Sequence, residues 1–255
     1  MKKRTIDLLP GKKIYFASDF HLGAPNHKKS REREIKIIQW LNEIKTDAQE
    51  IFILGDVFDF WYEYKTVVPR GFIRFLGKIS EIIDSGIPVT FFKGNHDMWM
   101  RNYLVEELNI EILDDVLELE INDTTFQIGH GDGLGPGDST YKLLRKVFRS
   151  GWAQWIFTRF HPNFSFWIAN SWSGHSRLYN DKDRVHLGEK EMLYQYCLEQ
   201  EKTGHRDYYL FGHRHLPMEF DINENSKYYN LGEWINYFTY GVFDGKVFQM
   251  AKFEN

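Results

Sequence analysis

The sequence predicts an α/β fold whose functional groups gather at the carboxyl ends of the strands. Apolar runs of strand length alternate with stretches of helical periodicity. Five of the runs end in aspartate, asparagine or histidine, four of them through a glycine. Open α/β sheets place their sites at such strand ends. Residues 139–180 interrupt the alternation with a basic, aromatic stretch.

Residues 13–18 read as a buried strand that stops at Asp19-Phe20-His21. On extended chain, residues two apart point the same way, so Asp19 and His21 can reach one ion. A helix cap by Asp19 beside a surface His21 is the plainer use of the same residues. Ile35, Ile38, Leu41 and Ile44 recur at helical spacing and predict a core-facing helix over 30–44. Residues 50–54 form a second strand running into Gly55-Asp56-Val57-Phe58-Asp59. With parallel strands, Asp56 falls beside Asp19 and His21, and Asp59 reads as a supporting or helix-capping group, with a further ligand as the alternative. Trp61, Tyr62 and Tyr64 read as a wall of the site, with aromatic packing as the alternative. A helix over 72–83 follows, and then Val89-Thr90-Phe91-Phe92 delivers Gly94-Asn95-His96-Asp97.

Residues 98–108 read as a helix. Residues 116–121 and 124–128 alternate across Asn122-Asp123, a hairpin whose second strand ends in Gly129-His130-Gly131-Asp132. Residues 208–211 form a strand ending in Gly212-His213-Arg214-His215, where two histidines again stand two apart. Residues 227–253 read as short strands with turns at 230–232 and 244–245.

A chain of 255 residues, 42% hydrophobic, buries a core as one large domain with an insertion. The domain is predicted from 1–138 and 181–255, with 139–180 inserted in it. A net charge of −4 excludes a general polyanion binder. The one cysteine, Cys197, allows no intrachain disulfide and fits a reducing compartment. Met1-Lys2-Lys3-Arg4 is followed by no long apolar run, so no signal peptide is expected, and no stretch is apolar for long enough to span a bilayer.

Taken in order, Asp19-x-His21, Gly55-Asp56, Gly94-Asn95-His96, Gly129-His130 and Gly212-His213-x-His215 resemble the motifs of the metallophosphoesterases, the calcineurin-like phosphoesterase superfamily. The resemblance runs from Tyr15 to about Leu231 and implies a four-layer α/β/β/α sandwich. It implies that Asp19, His21 and His215 hold one divalent metal, that Asn95, His130 and His213 hold another, and that Asp56 bridges the two. Imidazole, carboxylate and amide donors suit Mn²⁺, Fe or Zn²⁺. Two such ions about 3.5–4 Å apart can share one hydroxide and neutralise a phosphoryl group during in-line attack. Asp56 and His96 are then the expected catalytic residues. His96 would stabilise charge or protonate the leaving group, and Asp97 would either orient its imidazole or cap the next helix.

The insertion carries Lys142, Arg145, Lys146, Arg149, Arg159 and Arg177 and no acidic residue. Trp152, Trp155, Ile156 and Phe160 lie among them at helical spacing. A helical insertion packed on the domain is the plainer reading; the pattern also suits a lid for an amphiphile with an anionic head, the helix burying its face in acyl chains or the bilayer interface. It also suits single-stranded nucleic acid, although the acidic whole argues against a stable nucleic-acid partner. The sequence resembles the UDP-2,3-diacylglucosamine diphosphatases of lipid A synthesis more closely still. Asp138 and Tyr141 match residues that follow their His-Gly-Asp motif, and Ser176 and Asn180 match a Ser-x-x-x-Asn pattern of their lid. A lid lysine has no clean match, Lys182 being one position off.

This closer resemblance implies substrate contacts by Asn95, His96, Asp138, Tyr141, Ser176, Arg177, Asn180 and His213. It implies hydrolysis of the pyrophosphate to UMP and 2,3-diacylglucosamine 1-phosphate, Mn²⁺ as cofactor, and peripheral attachment to the cytoplasmic face of the inner membrane. One position departs: that group has arginine where this chain has His96. Arginine is the better bidentate clamp for a diphosphate. Either Arg177 or Arg214 supplies the charge, or the substrate is another phosphomonoester, phosphodiester or nucleotide.

Overall fold

The computed structural model describes residues 2–137, 139–167 and 185–254. Two six-stranded mixed sheets form its centre. One contains, from edge to edge, β12 (Phe248–Lys252), β11 (Thr239–Phe243), β2 (Lys13–Ala17), β3 (Ala48–Ile53), β4 (Val89–Phe92) and β5 (Glu111–Leu113). The other contains β1 (Lys2–Ile6), β6 (Leu117–Ile121), β7 (Thr124–Gly129), β8 (Tyr208–Phe211), β10 (Ser226–Leu231) and β9 (Pro217–Asn223). Strands β2 to β5 run parallel, as do β7, β8 and β10. Ala17 pairs with Ile53 and Ile53 with Phe91. The loops after β2, β3 and β4 therefore leave the sheet side by side.

Side-chain alternation divides the core into three. Ile14 and Phe16 of β2, with Phe52 and Leu54, meet Leu119, Phe126, Ile128 and Leu210 between the sheets. On the opposite face, Tyr15, Ala17, Ile51 and Phe91 receive α1 (His27–Ile44) and α2 (Ile73–Asp84) through Ile37, Trp40, Leu41, Phe75 and Ile79. Outside the second sheet, Tyr209, Phe211 and Tyr228 receive Leu193 and Cys197, which belong to α6 (Met192–Glu201). The result is a helix–sheet–sheet–helix sandwich. Both sheets are covered on both faces, which is why their central strands read as continuous apolar runs rather than alternations.

Several expectations need correction. Helix α1 begins at His27 with Asn26 as its N-cap, and its inward face is Arg33, Glu34, Ile37, Trp40, Leu41 and Ile44, while Ile35 is exposed. Periodicity missed the phase because two charged residues face inward: Glu34 accepts the Phe75 N–H, and Arg33 donates to the carbonyls of His21 and Ala24. The helix predicted over 98–108 shortens to α3 (Tyr103–Leu108). The basic N-terminus forms β1, where Arg4 pairs with Glu50 and Glu111. Trp61 is core rather than a wall of the site, stacked on Phe58 at 4.3 Å.

The described part of the insertion contains α4 (Ser139–Arg149) and α5 (Gly151–Phe157). Among the described residues no helix is long and apolar enough to cross a membrane.

Candidate metal centre

Each expected ligand among the described residues arrives on a loop that leaves the carboxyl end of a strand. Asp19 and His21 follow β2, Asp56 follows β3, Asn95 follows β4, His130 follows β7, and His213 and His215 follow β8. Five of these seven, Asp19, His21, Asp56, His213 and His215, have positive φ between 44° and 69°. Each such residue costs about 1–3 kcal/mol and persists only where its surroundings over-determine it. Asp19 and His21 therefore converge through two left-handed residues, not through the alternation of an extended chain. His213 and His215 repeat the arrangement.

The loops pack close enough to need glycine. A Cβ on Gly94 would collide with the Asp56 carboxylate, and one on Gly212 would collide with that of Asp19. Their role is close approach between ligand loops.

Two groups of donors result. His21 Nε2 lies 3.0 Å from His215 Nε2, and His215 Nε2 lies 3.1 Å from Asp19 Oδ1. Asn95 Oδ1 lies 3.1 Å from His130 Nε2 and 2.9 Å from His213 Nδ1. Donors held at about 2.1 Å from one ion stand roughly 3 Å apart, so both groups have ligand spacing. Asp56 lies between them. Its Oδ1 accepts the His96 N–H at 2.9 Å. Its Oδ2 lies 3.6 Å from His21 Nε2 and 3.5 Å from His130 Nε2, is buried, and has no hydrogen-bond partner among the described residues. A buried anionic oxygen without a partner is costly, and a cation is the fitting occupant. Asp19, His21, Asp56 and His215 together offer donor atoms all within 4.8 Å of one another.

The surroundings fix these donors. His130 Nδ1 lies 2.8 Å from the Leu54 carbonyl, which places a proton there and turns Nε2 inward. Asp59 stands beside two of the rings: its carboxylate is 3.6 Å from His21 Nδ1 and its carbonyl 2.9 Å from His96 Nδ1, and with His21 and His96 it also offers donor atoms within 4.8 Å of one another. Asp97 neither holds the His96 ring nor caps a helix. Its Oδ1 accepts the Gly94 N–H at 2.8 Å, and its Oδ2 accepts the Val57 N–H at 2.7 Å and the Phe58 N–H at 3.3 Å. It staples the Asp56 loop to the Asn95 loop. Asp97→Ala leaves these buried donors unpaired and is expected to cost about 2–4 kcal/mol in a urea titration. Asp97→Asn keeps acceptor oxygen at one of the two positions and should cost less.

Burial disfavours charge on His21 and His130, yet the neighbouring carboxylates, Asp19 above all for His21 and Asp56 for His130, hold both pKa values at about 10. Burial disfavours the charged carboxylates of Asp19 and Asp56 likewise, and the same histidines override it and keep both well below the usual range. The metal-free centre is a nest of ion pairs.

The family model for calcineurin-like phosphoesterases matches residues 12–217. The chain belongs to the calcineurin-like phosphoesterase family. It is a metal-dependent hydrolase of phosphate ester or anhydride bonds. A UDP-2,3-diacylglucosamine hydrolase of Porphyromonas gingivalis is 34% identical over 95% of this chain and 98% of its own length. One from Vibrio vulnificus is 32% identical over 56% of this chain and 57% of its own. Among solved structures, the E. coli phosphoesterase Yfce superposes with a TM-score of 0.45 at 14% identity, covering 95% of this chain and all of that one.

Around the centre, Tyr141 lies with its ring centroid 6.3 Å from that of His213 and donates its hydroxyl to Asp132 Oδ2 at 2.9 Å. Asp132 is also 2.6 Å from Arg145 Nε. Sequence reasoning passed over Asp132, although the His-Gly-Asp motif presents it. Asp138, Ser176, Arg177 and Asn180 lie outside the described residues. Arg214, one expected source of the charge that an arginine at position 96 would bring, is bound to Glu191 through Nε and Nη2. A cleft of about 480 Å³ between α4 and Gly133 is lined by Lys142, Arg145, Lys146 and Arg149. Acids of the main domain partly neutralise it, Asp132 at Arg145 and Asp115 at Arg149, so the basic balance of the segment taken alone overstates its field.

The large apolar residues of the described segment 139–167 divide into two sets. Phe157 packs 4.7 Å from both Tyr62 and Trp99, and Phe166 packs 5.2 Å from Phe60. Trp152, Trp155, Ile156, Phe160, Phe164 and Trp167 are exposed.

Proposed function

We propose that the protein hydrolyses the pyrophosphate bond of UDP-2,3-diacylglucosamine to UMP and 2,3-diacylglucosamine 1-phosphate. The observation that carries this reading is the likeness to the Porphyromonas gingivalis hydrolase over almost the full length of both chains. The exposed aromatic set on the insertion supports it, because an acylated substrate needs apolar surface beside the reacting phosphorus.

Asp19, His21 and His215 would hold one ion, Asn95, His130 and His213 the other, and Asp56 both, with Mn²⁺ the favoured metal. When bound, the ions supply an activated water and neutralise phosphoryl charge. His96 acts on the phosphoryl group. Its Nδ1 is held by the Asp59 carbonyl, so any proton for the leaving group is carried on Nε2. Burial lowers the His96 pKa, and a bound phosphoryl anion opposes that effect and favours the imidazolium. Asn95, His213, Tyr141, Asp138, Ser176, Arg177 and Asn180 contact the substrate. Residues 139–180 form the lid on a domain made of 1–138 and 181–255, and the lid rests against the cytoplasmic face of the inner membrane. Histidine at 96, where the diphosphatases have arginine, favours a second reading: a phosphoesterase acting on a smaller phosphate ester.

Release of UMP from the diacylated UDP-glucosamine by purified protein with manganese tests the first reading. Turnover of simple phosphodiesters without UMP release would establish the second. Metal binding also has a proton signature. His21 and His130, with pKa near 10 in the metal-free centre, are protonated at pH 7 and must lose their protons to bind metal. Manganese binding at pH 7 should therefore release about two protons, and its affinity should climb as pH rises towards 10. Calorimetry in buffers of different ionisation heat reads the number; no release would mean that His21 and His130 are already neutral in the metal-free centre.

A further inference from the structure

Arg214 stands between two histidines that serve different ions in the proposed centre, and its side chain leads away from both. Its Nε lies 2.7 Å from Glu191 Oε2 and its Nη2 lies 3.0 Å from Glu191 Oε1, a two-point ion pair. The carboxylate has no solvent exposure. Glu191 Oε1 also accepts the Leu187 N–H at 3.0 Å, and the Glu191 carbonyl accepts the Gln195 N–H at the start of α6 at 3.0 Å. The carboxylate thus joins the His213–His215 loop to the segment at Leu187, and the backbone carbonyl of the same residue starts a core helix.

The ligand loop needs such restraint. His213 has φ of 69° and His215 of 56°, conformations a histidine adopts only under constraint. On the β8 side the constraint is hydrogen bonding: Gly212 N–H to the His130 carbonyl, and His213 N–H to Asp19 Oδ2, each at 3.0 Å. Beyond His213, the Arg214 fork ties the loop to the rest of the fold.

We propose that the Glu191–Arg214 pair is a positioning device for the centre, setting the affinity of both ions at once because its loop delivers one histidine to each. This rests on the two-metal reading above. A planar guanidinium fixes direction as well as distance, and an ammonium does not. Arg214→Lys keeps the charge and loses the fork. Glu191→Gln keeps the volume and one acceptor and loses the charge. Arg214→Lys leaves the buried carboxylate paired, whereas Glu191→Gln leaves the guanidinium without the Glu191 counter-ion, so the thermal melts weigh more heavily in reading the second variant.

The test measures manganese affinity and stoichiometry by calorimetry, and the coupled-pair signal by electron paramagnetic resonance, for wild type and the two variants, with thermal melts alongside. Both variants should bind both ions about 10- to 100-fold more weakly, as loss of an outer partner does at other metal sites. Turnover should recover at saturating manganese. A lowered melting temperature with unchanged affinities would make the pair merely structural, and weakening of one ion alone would deny the shared control; either result overturns the proposal. If wild type itself binds no manganese, the two-metal reading fails first and takes the proposal with it.

Discussion

Asparagine at position 56 should leave a folded protein that no longer turns over. The two carboxylate oxygens of Asp56 have different work. Oδ1 accepts the His96 N–H, and an asparagine carbonyl preserves that bond. Oδ2 is the buried oxygen that His21 and His130 both approach and that no hydrogen bond satisfies among the described residues. An amide nitrogen in its place fills the same volume but brings hydrogens where lone pairs are needed. In the proposed two-metal centre, neither ion would then have its shared anionic ligand. We expect kcat to fall on the order of 10³-fold or more, since preorganised charge stabilisation is usually the largest single contribution to such catalysis. Far-ultraviolet circular dichroism should not change. His130→Ala should abolish turnover as well, but it also empties space against Gly55 and frees the Leu54 carbonyl, so its stability should fall further. Manganese-dependent turnover at the wild-type rate in Asp56→Asn would remove the two-metal assignment.

The ligand set was legible because its chemistry is local. Aspartate, asparagine and histidine immediately after an apolar run, with glycine at the junction, mark a loop packed against other backbone. What linked the five loops was a family resemblance rather than spacing, since the geometry that brings them together is long-range. The positive φ angles of Asp19 and His21 leave no trace in composition, so the two side chains do converge, but through a backbone other than the extended one expected. The supporting shell was far less legible. Asp97 and Glu191 look like surface acids, and only tertiary contacts reveal one as a staple between two ligand loops and the other as the partner of Arg214. The same blindness shifted the phase of α1, where buried Arg33 and Glu34 bind backbone that periodicity does not count. β1 was missed because three of its five residues are basic, and their partners Glu50, Glu111 and Glu118 lie far off in sequence.

The double replacement Trp152→Ala with Trp155→Ala should separate the acylated substrate from small phosphate esters. Both rings are more than half exposed, at 62% and 57%, on a helix whose inner anchor is Phe157 against Tyr62 and Trp99. Removing exposed rings should leave stability within about 0.5 kcal/mol, apart from the contact of Arg159 with the Trp155 face at 4.4 Å. Burying a large apolar side chain against acyl chains contributes about 1.5–3 kcal/mol. Partial use of two rings therefore predicts a loss of about 10- to 100-fold in kcat/KM for the diacylated substrate. A soluble phosphodiester meets the metal centre without meeting these rings, so its kcat/KM should change less than about twofold. Phe157→Ala is the contrasting variant. It removes the anchor and should lower the melting temperature, which the exposed tryptophans should not. Equal losses on both substrates in the tryptophan variant would mean that these rings shape the centre itself and that acyl chains bind elsewhere.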